Sequence, residues 1–310
     1  TFHDATYQFG IDYLRDVWYS TSYLLDRKQS MNGCAKKRFE NYKQQPLEFV
    51  FDKSFTGKLS QFGLDPNRRT PSGIKAAIIR EKGTNGEREM AYMLYLAGFD
   101  VKDVTMTDLV SGRETLEDIN MVVYCGGFSN SDVLGSAKGW AGSFLFNPKA
   151  KAALDNFYAR EDTLSLGVCN GCQLMMELGL ITPEDKKKGK MLHNDSHKFE
   201  SAFLGVTVPM NRSVMFGSLS GSKLGIWVAH GEGKFSLPYP EDHYNVVLKY
   251  SYDEYPGNPN GSDYSVAGIA SQDGRHLAMM PHLERALFPW QCGHYPADRK
   301  GDEVIIQIGR

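Results

Sequence analysis

Between residues 74 and 180 the hydrophobic positions of this chain alternate between short solid runs and stripes at helical spacing. Ile74 to Ile79, Ile119 to Tyr124 and Thr163 to Val168 are apolar stretches of strand length, the pattern of strands buried in a parallel sheet, and Val101 to Met106 reads as another strand. Between them, Glu87 to Ala97 reads as a helix with Gly98 placed to end it, and Pro148 to Tyr158 and Gln173 to Leu180 read as two more. Repeated strand–helix units predict an α/β fold with a doubly wound, mainly parallel sheet. Function is then expected at the carboxyl ends of its strands.

The pattern changes on either side. Upstream, Ile11, Leu14, Trp18 and Leu25 share one helical face, which predicts a helix running to about Asn32 and Gly33; a second, from Ala35 to Tyr42, ends before Pro46. Each has one apolar face that it cannot bury alone, so another part of the protein must cover it. Residues 53–72 carry Gly57, Gly63, Pro66 and Pro71 among polar residues and read as a linker. The chain thus divides into a helical segment 1–52, a linker 53–72 and a main domain 73–310. Downstream, the short runs Gly205 to Val208, Gly225 to Ala229 and Asn245 to Leu248 predict an added antiparallel layer, with Val266 to Ala270 and His276 to Met280 as final core strands.

Composition narrows the partners. The 310 residues are 41% hydrophobic, enough for a substantial core, and 35 basic against 37 acidic residues leave a net charge of -2. Neither nucleic acid nor a membrane surface is called for, so the expected partner is a small molecule or another protein surface. Five cysteines without a disulfide-framework spacing point to a reducing compartment. With no apolar run near the roughly 20 residues of a membrane span, and a polar Thr1-Phe2-His3-Asp4 start, a cytoplasmic protein is expected.

Chemistry concentrates at Gly167-Val168-Cys169-Asn170-Gly171-Cys172-Gln173. A cysteine between a buried strand and a helix sits on a sharp turn, and the flanking glycines remove side chains that would clash there. The helix N-terminus favours the thiolate, the nucleophilic form, and the next backbone amide faces a developing oxyanion. Such a nucleophile needs a base with an orienting partner. Two His-x-Glu pairs qualify, His230-Gly231-Glu232 and His282-Leu283-Glu284; each follows an apolar run, and spacing leaves them tied, with Pro281 favouring the later pair slightly. Cys125-Gly126-Gly127-Phe128 ends another strand and offers backbone amides to a substrate carbonyl. Cys169 and Cys172 also form a Cys-x-x-Cys, but the elbow glycines flank Cys169 alone, which disfavours a redox pair. His193, Asp195 and His197 lack a second ligand pair at metal spacing, and there is no phosphate loop with a Gly-Lys-Ser/Thr ending.

Taken in order, the Gly-Gly loop, the Gly-x-Cys-x-Gly-x-Gln elbow and the late Pro-His-x-Glu resemble the triad (class I) glutamine amidotransferases, a flavodoxin-like fold. The likeness extends to Arg80-Glu81-Lys82-Gly83-Thr84-Asn85-Gly86-Glu87-Arg88-Glu89, Phe199-Glu200-Ser201 and Ala229-His230-Gly231-Glu232-Gly233. These are similar to members that form the C-terminal glutaminase domain of a purine-pathway synthetase. The resemblance implies that Cys169 attacks the side-chain amide of glutamine and that His282, oriented by Glu284, serves as acid and base. Amides near Gly127, Phe128 and Asn170 would hold the oxyanion, Gln173, Phe199 and Ser201 the glutamine, and His230 the edge of the site or a domain contact. It also implies no cofactor in this chain, and ammonia passed to a synthetase domain of the same polypeptide, which uses ATP and Mg2+. Residues 1–52 resemble the last helices of that synthetase portion. Leu283 stands where the family usually has proline. A hydrolase of γ-glutamyl peptides and a non-catalytic regulatory module of the same fold are the alternatives.

Overall fold

A computed structural model describes residues 2–3, 7–45 and 47–305. The two upstream helices form where expected, α1 over Ile11–Gln29 and α2 over Cys34–Asn41. The alternating segment then lays down β1 (Lys75–Arg80), α3 (Glu87–Leu96), β2 (Asp100–Thr105), α4 (Met106–Ser111), β3 (Met121–Tyr124), α5 (Lys138–Leu145), α6 (Pro148–Ala159), β4 (Leu164–Val168) and α7 (Asn170–Glu177). The remaining strands are β5 (Glu200–Thr207), β6 (Lys223–His230), β7 (Asn245–Tyr250), β8 (Val266–Ala270) and β9 (His276–Met279).

These nine strands form one sheet in the order β6-β5-β7-β8-β9-β4-β3-β1-β2, beside three short two-stranded ladders among the described residues. From β2 to β9 the ladders are parallel, and from β9 to β6 they are antiparallel. The parallel half runs β2-β1-β3-β4-β9, the flavodoxin-like order, in which the order of strand addition reverses between β1 and β3. At that reversal the loop after β1 bridges the loop after β3, pairing Thr84 with Gly127 and Asn85 with Gly126. The carboxyl ends of β3, β4 and β9 carry Gly126, Cys169 and His282 out of this region.

Two expectations need correction, and two helices, α4 and α5, stand where none was expected. The antiparallel strands do not form a separate layer; they extend the parallel sheet at its β9 edge, because β8 pairs directly with β9 over Gly268 to Ala270. The helix after Cys169 starts at Asn170, three residues before the predicted start, and gives way at Leu178 to Gly179, whose φ of +69° suits glycine. Its first three residues, Asn170-Gly171-Cys172, include no large apolar side chain, so no apolar stripe marks its start. Helices α4 and α5 had no strong periodic signal. A reciprocal cap at Thr105, whose backbone N–H and hydroxyl both donate to Asp108 (2.9 and 2.7 Å), starts α4.

Residues 53–72 are packed down. Phe55 is buried against Phe51 (ring centroids 4.9 Å apart) and under the Arg299 guanidinium, and Arg68 pairs with Asp100 at 3.0 Å. The face of α1 is left open, with Trp18 78% and Leu25 61% exposed.

Candidate active site

Cys169 occupies a backbone conformation that an L residue rarely adopts, with φ +53° and ψ −106°. Such strain costs on the order of 1–3 kcal/mol and persists only where the surroundings impose it. The Cys169 N–H donates to Met279 O (2.9 Å) on β9, and its carbonyl accepts from Gln173 N–H (3.0 Å). The elbow glycines are demanded by packing: a Cβ on Gly167 would meet Gly171 O at 2.5 Å, and one on Gly171 would meet Tyr124 O at 2.1 Å. The Cys169 thiol donates a long bond to Ala229 O at 3.6 Å.

His282 arrives from β9. Its N–H donates to Trp227 O (2.8 Å), and its side chain is almost wholly buried beside Glu284, with Nδ1 to Oε1 at 2.6 Å. Burial opposes charge on this imidazole. The Glu284 carboxylate and the Cys169 sulfur outweigh that opposition and lift its pKa to about 9. At neutral pH Nε2 therefore carries a proton, and it is buried without a hydrogen bond of good geometry. Gly126 lies between His282 and Cys169: a Cβ there would lie 2.8 Å from His282 Cε1 and 3.4 Å from Cys169 Cβ. Sequence reasoning singled out Gly127 and passed over Gly126, since two adjacent glycines carry no mark of which one faces the site.

The other His-x-Glu pair does not close on itself. Glu232 accepts from the Ser136 backbone N–H (2.5 Å) and hydroxyl (2.6 Å) and lies 3.3 Å from His193 Nδ1. His230 faces Asn194 instead. Asn194 donates Nδ2 to Lys198 O and His230 O, while its Oδ1 accepts from Gly233 N–H and lies 3.2 Å from His230 Nδ1. That Oδ1 can only accept, so the His230 proton sits on Nδ1 and leaves Nε2 as a buried acceptor without a partner. Burial, reinforced by His282, pushes the His230 pKa down to about 3 and keeps the ring neutral.

Cys169, Gln173, His230 and Glu232 line one cavity of about 310 Å³, with Phe128 and Phe199 at its lip, their rings 6.0 Å apart. Gly127 lines it too, in a φ of +120° where a Cβ would strike Gly83 O at 2.5 Å. The Phe128 N–H is spent on Gly83 O (2.8 Å), so it is not free for an oxyanion. Asn170 lies behind the wall, where its side chain ties the Ser129 N–H (2.9 Å) to Gln173 Oε1 (2.7 Å), and the Gln173 amide continues to Glu232 O (2.8 Å). Ser201 stands exposed on β5, outside the cavity lining. Sequence reasoning weighed Glu232 only as the partner of His230, and it missed Asn194, which holds His230, and Asp132, which lines the cavity; neither has a local signal beyond its side-chain type.

Cys172 is fully buried with its thiol pushed well up by burial, which disfavours it as a redox partner of Cys169. Among the described residues no group of three His, Cys, Asp or Glu side chains could hold a metal, and no helix is long and apolar enough to cross a membrane. A family model of the CobB/CobQ-like glutamine amidotransferase domain matches residues 73–308. The chain belongs to this glutamine amidotransferase family.

Among individual amidotransferase relatives, the chain is 40% identical over 314 residues to phosphoribosylformylglycinamidine synthase of Homo sapiens and 38% identical over 299 residues to that of Drosophila melanogaster. These matches cover 91% and 90% of this chain but 23% and 22% of the relatives, so it spans under a quarter of their length. The solved structure of PurLQS from Thermotoga maritima superposes with a TM-score of 0.56 at 29% identity, covering 69% of this chain and 89% of that one. In this amidotransferase domain a buried protonated imidazole, a cysteine on a strained corner and a cavity of about 310 Å³ meet at one point. That arrangement suits acyl transfer from a small amide.

Proposed function

We propose that this chain is the glutaminase part of a phosphoribosylformylglycinamidine synthase. The observation that carries the reading is the meeting of Cys169 with the His282–Glu284 pair across Gly126, at the end of a cavity that fits one amino acid. Cys169 Sγ attacks the side-chain carbonyl carbon of glutamine as the thiolate, its proton held on His282 Nε2. Negative charge on that oxygen is met by backbone N–H groups at Asn170, the first residue of α7, and Gly127. As the C–N bond breaks, His282 Nε2 gives its proton to the leaving amine, and ammonia departs from a γ-glutamyl thioester. Water then attacks the thioester and returns a proton to His282; glutamate leaves and the Cys169 sulfur is restored. Glu284 holds the imidazole and stabilises its charged form, as a buried carboxylate does in other triads.

The ammonia would serve ATP-dependent amidation of formylglycinamide ribonucleotide in purine synthesis, on a synthetase portion of the same polypeptide that holds ATP and Mg2+. Residues 1–52 are read as the tail of that portion, 53–72 as the connection and 73–310 as the glutaminase domain. The exposed apolar face of α1 supports this, since the synthetase portion would cover it. Free cysteines fit a reducing compartment, and we assign the enzyme to the cytoplasm.

Replacing the nucleophile tests the reading. Cys169→Ala is expected to abolish glutamine hydrolysis and to block covalent labelling by a glutamine-like electrophile, with the fold intact by circular dichroism. Undiminished turnover in that variant would sink the assignment.

A further inference from the structure

Helix α1 inverts the usual rule of burial: its apolar residues are exposed, and the one buried residue along its length is a carboxylate, Asp26. Asp26 is held on three sides. Its oxygens accept from Ser30 Oγ (2.6 Å), Arg38 Nη1 (2.8 Å) and Lys198 Nζ (2.7 Å). Arg38 carries the network onward, its Nη2 reaching both oxygens of buried Glu200 at 3.2 and 2.9 Å. Glu200 also accepts from Ser196 Oγ (2.5 Å) and Tyr255 OH (3.0 Å). Burial works against charge on Asp26, but the Lys198 ammonium, Ser30 and Arg38 hold its carboxyl below the usual range. Two backbone-directed bonds run alongside: Met31 N–H to Ser196 O (3.0 Å) and Asn32 Nδ2 to Asp195 O (2.8 Å).

Every contact on the far side of this network belongs to residues 195–200 or, through Tyr255, to the same domain. Of these, Lys198 lines the cavity beside Cys169, flanked by His197 and Phe199, which line it too. The cavity wall is thus bolted to the helical segment by buried charges, which are strongly directional and costly to leave unpaired.

We propose that Asp26 and Arg38 are positioning residues for the glutamine pocket, holding the His197–Phe199 wall in place through Lys198 and Glu200. The helical segment is then part of the machinery that shapes the pocket. Because the network touches the wall and not the Cys169–His282 pair, its loss affects binding more than chemistry. The inference rests on the glutaminase reading and deepens it.

The test is steady-state glutamine hydrolysis by the full chain, wild type against Asp26→Asn, Asp26→Glu and Arg38→Lys. Asp26→Asn is expected to raise KM for glutamine roughly tenfold, the middle of the range for coupled neighbours, with kcat within about twofold. Asp26→Glu, which keeps the charge, should recover most of the loss, and Arg38→Lys, which loses the fork, should raise KM several-fold. Asp12→Asn, on the same helix but in an exposed pair with Lys43, is the control and should leave KM unchanged. An unchanged KM in Asp26→Asn overturns the proposal. Should Asp26→Asn fail to fold, an unchanged KM in the milder Arg38→Lys overturns it equally. Absence of hydrolysis by the wild-type chain would strike the glutaminase reading instead, so the two failures are distinguishable.

Discussion

Two His-x-Glu pairs leave the sheet of this protein, one at the end of β6 and one after β9, and the fold uses them in opposite ways. His282 and Glu284 bond to each other at 2.6 Å, and the carboxylate keeps the imidazole charged despite its burial. His230 and Glu232 turn apart, one to Asn194 and the other to Ser136, and the imidazole is driven neutral by the same burial. A buried histidine thus becomes a proton donor or an acceptor according to whether a carboxylate or an amide faces its Nδ1. The spacing of the residues is identical, so it is the neighbours that decide.

The sharpest way to break this contrast is to remove each ring. His282→Ala is expected to lower kcat for glutamine hydrolysis by about 10³-fold or more, as loss of a triad acid–base does. His230→Ala should act mainly on KM and keep kcat within about tenfold, because its ring lines the cavity as a neutral acceptor. Equal loss of kcat in both variants would remove the basis for assigning the acid to 282.

A smaller effect is expected from methyl groups placed beside each pair. Gly126→Ala sets a carbon 2.8 Å from His282 Cε1 and must shift the ring; a misplacement of that kind costs about 10- to 100-fold in kcat. Gly231→Ala, whose added carbon meets nothing within 4 Å, should keep kcat within about threefold. Were the two alanine variants indistinguishable in kcat, Gly126 would not be the spacer between Cys169 and His282.

The smallest effect is on stability, where the two rings act at opposite ends of the pH scale. The His282 pKa is raised above its ordinary value, so its contribution is complete below about pH 6.5 and is lost as pH rises toward 9. His230 is depressed, so its contribution is present above about pH 6.5 and is lost as pH falls toward 3. His276, pushed down to about 4 by burial, shares that acid limb. Thermal midpoints measured from pH 4 to 10 should show Glu284→Gln flattening the alkaline fall and His230→Gln flattening part of the acid one. A Glu284→Gln variant with an unaltered alkaline limb would contradict the charge assigned to His282.

Much of the parallel half was legible along the chain because its central strands are largely apolar runs and each amphipathic helix a one-sided stripe; the edge strand β2, with Lys102 and Asp103 exposed, has only Val101 and Val104 to mark it. Helix α7 defeated that reading at its start, because Asn170-Gly171-Cys172 offers no large apolar side chain, and the antiparallel strands were seen as a layer because pairing partners far apart in sequence leave no local trace. Phe128 lost its assigned amide to Gly83, and Ser201 fell outside the cavity, since strand register alone decides which way each faces.

What the sequence determined by itself is the list of reactive groups and the corner that presents one of them: Cys169 between two glycines, two His-x-Glu pairs, a Gly-Gly loop. Those signals are local, set by backbone sterics over a few residues. Which histidine meets the cysteine, which glycine stands between them, and that a carboxylate on α1 braces the pocket wall were decided only by tertiary structure. Each depends on a contact that spans tens to hundreds of residues along the chain, and on burial that turns an ordinary side chain into a charged acid, a neutral acceptor or a brace.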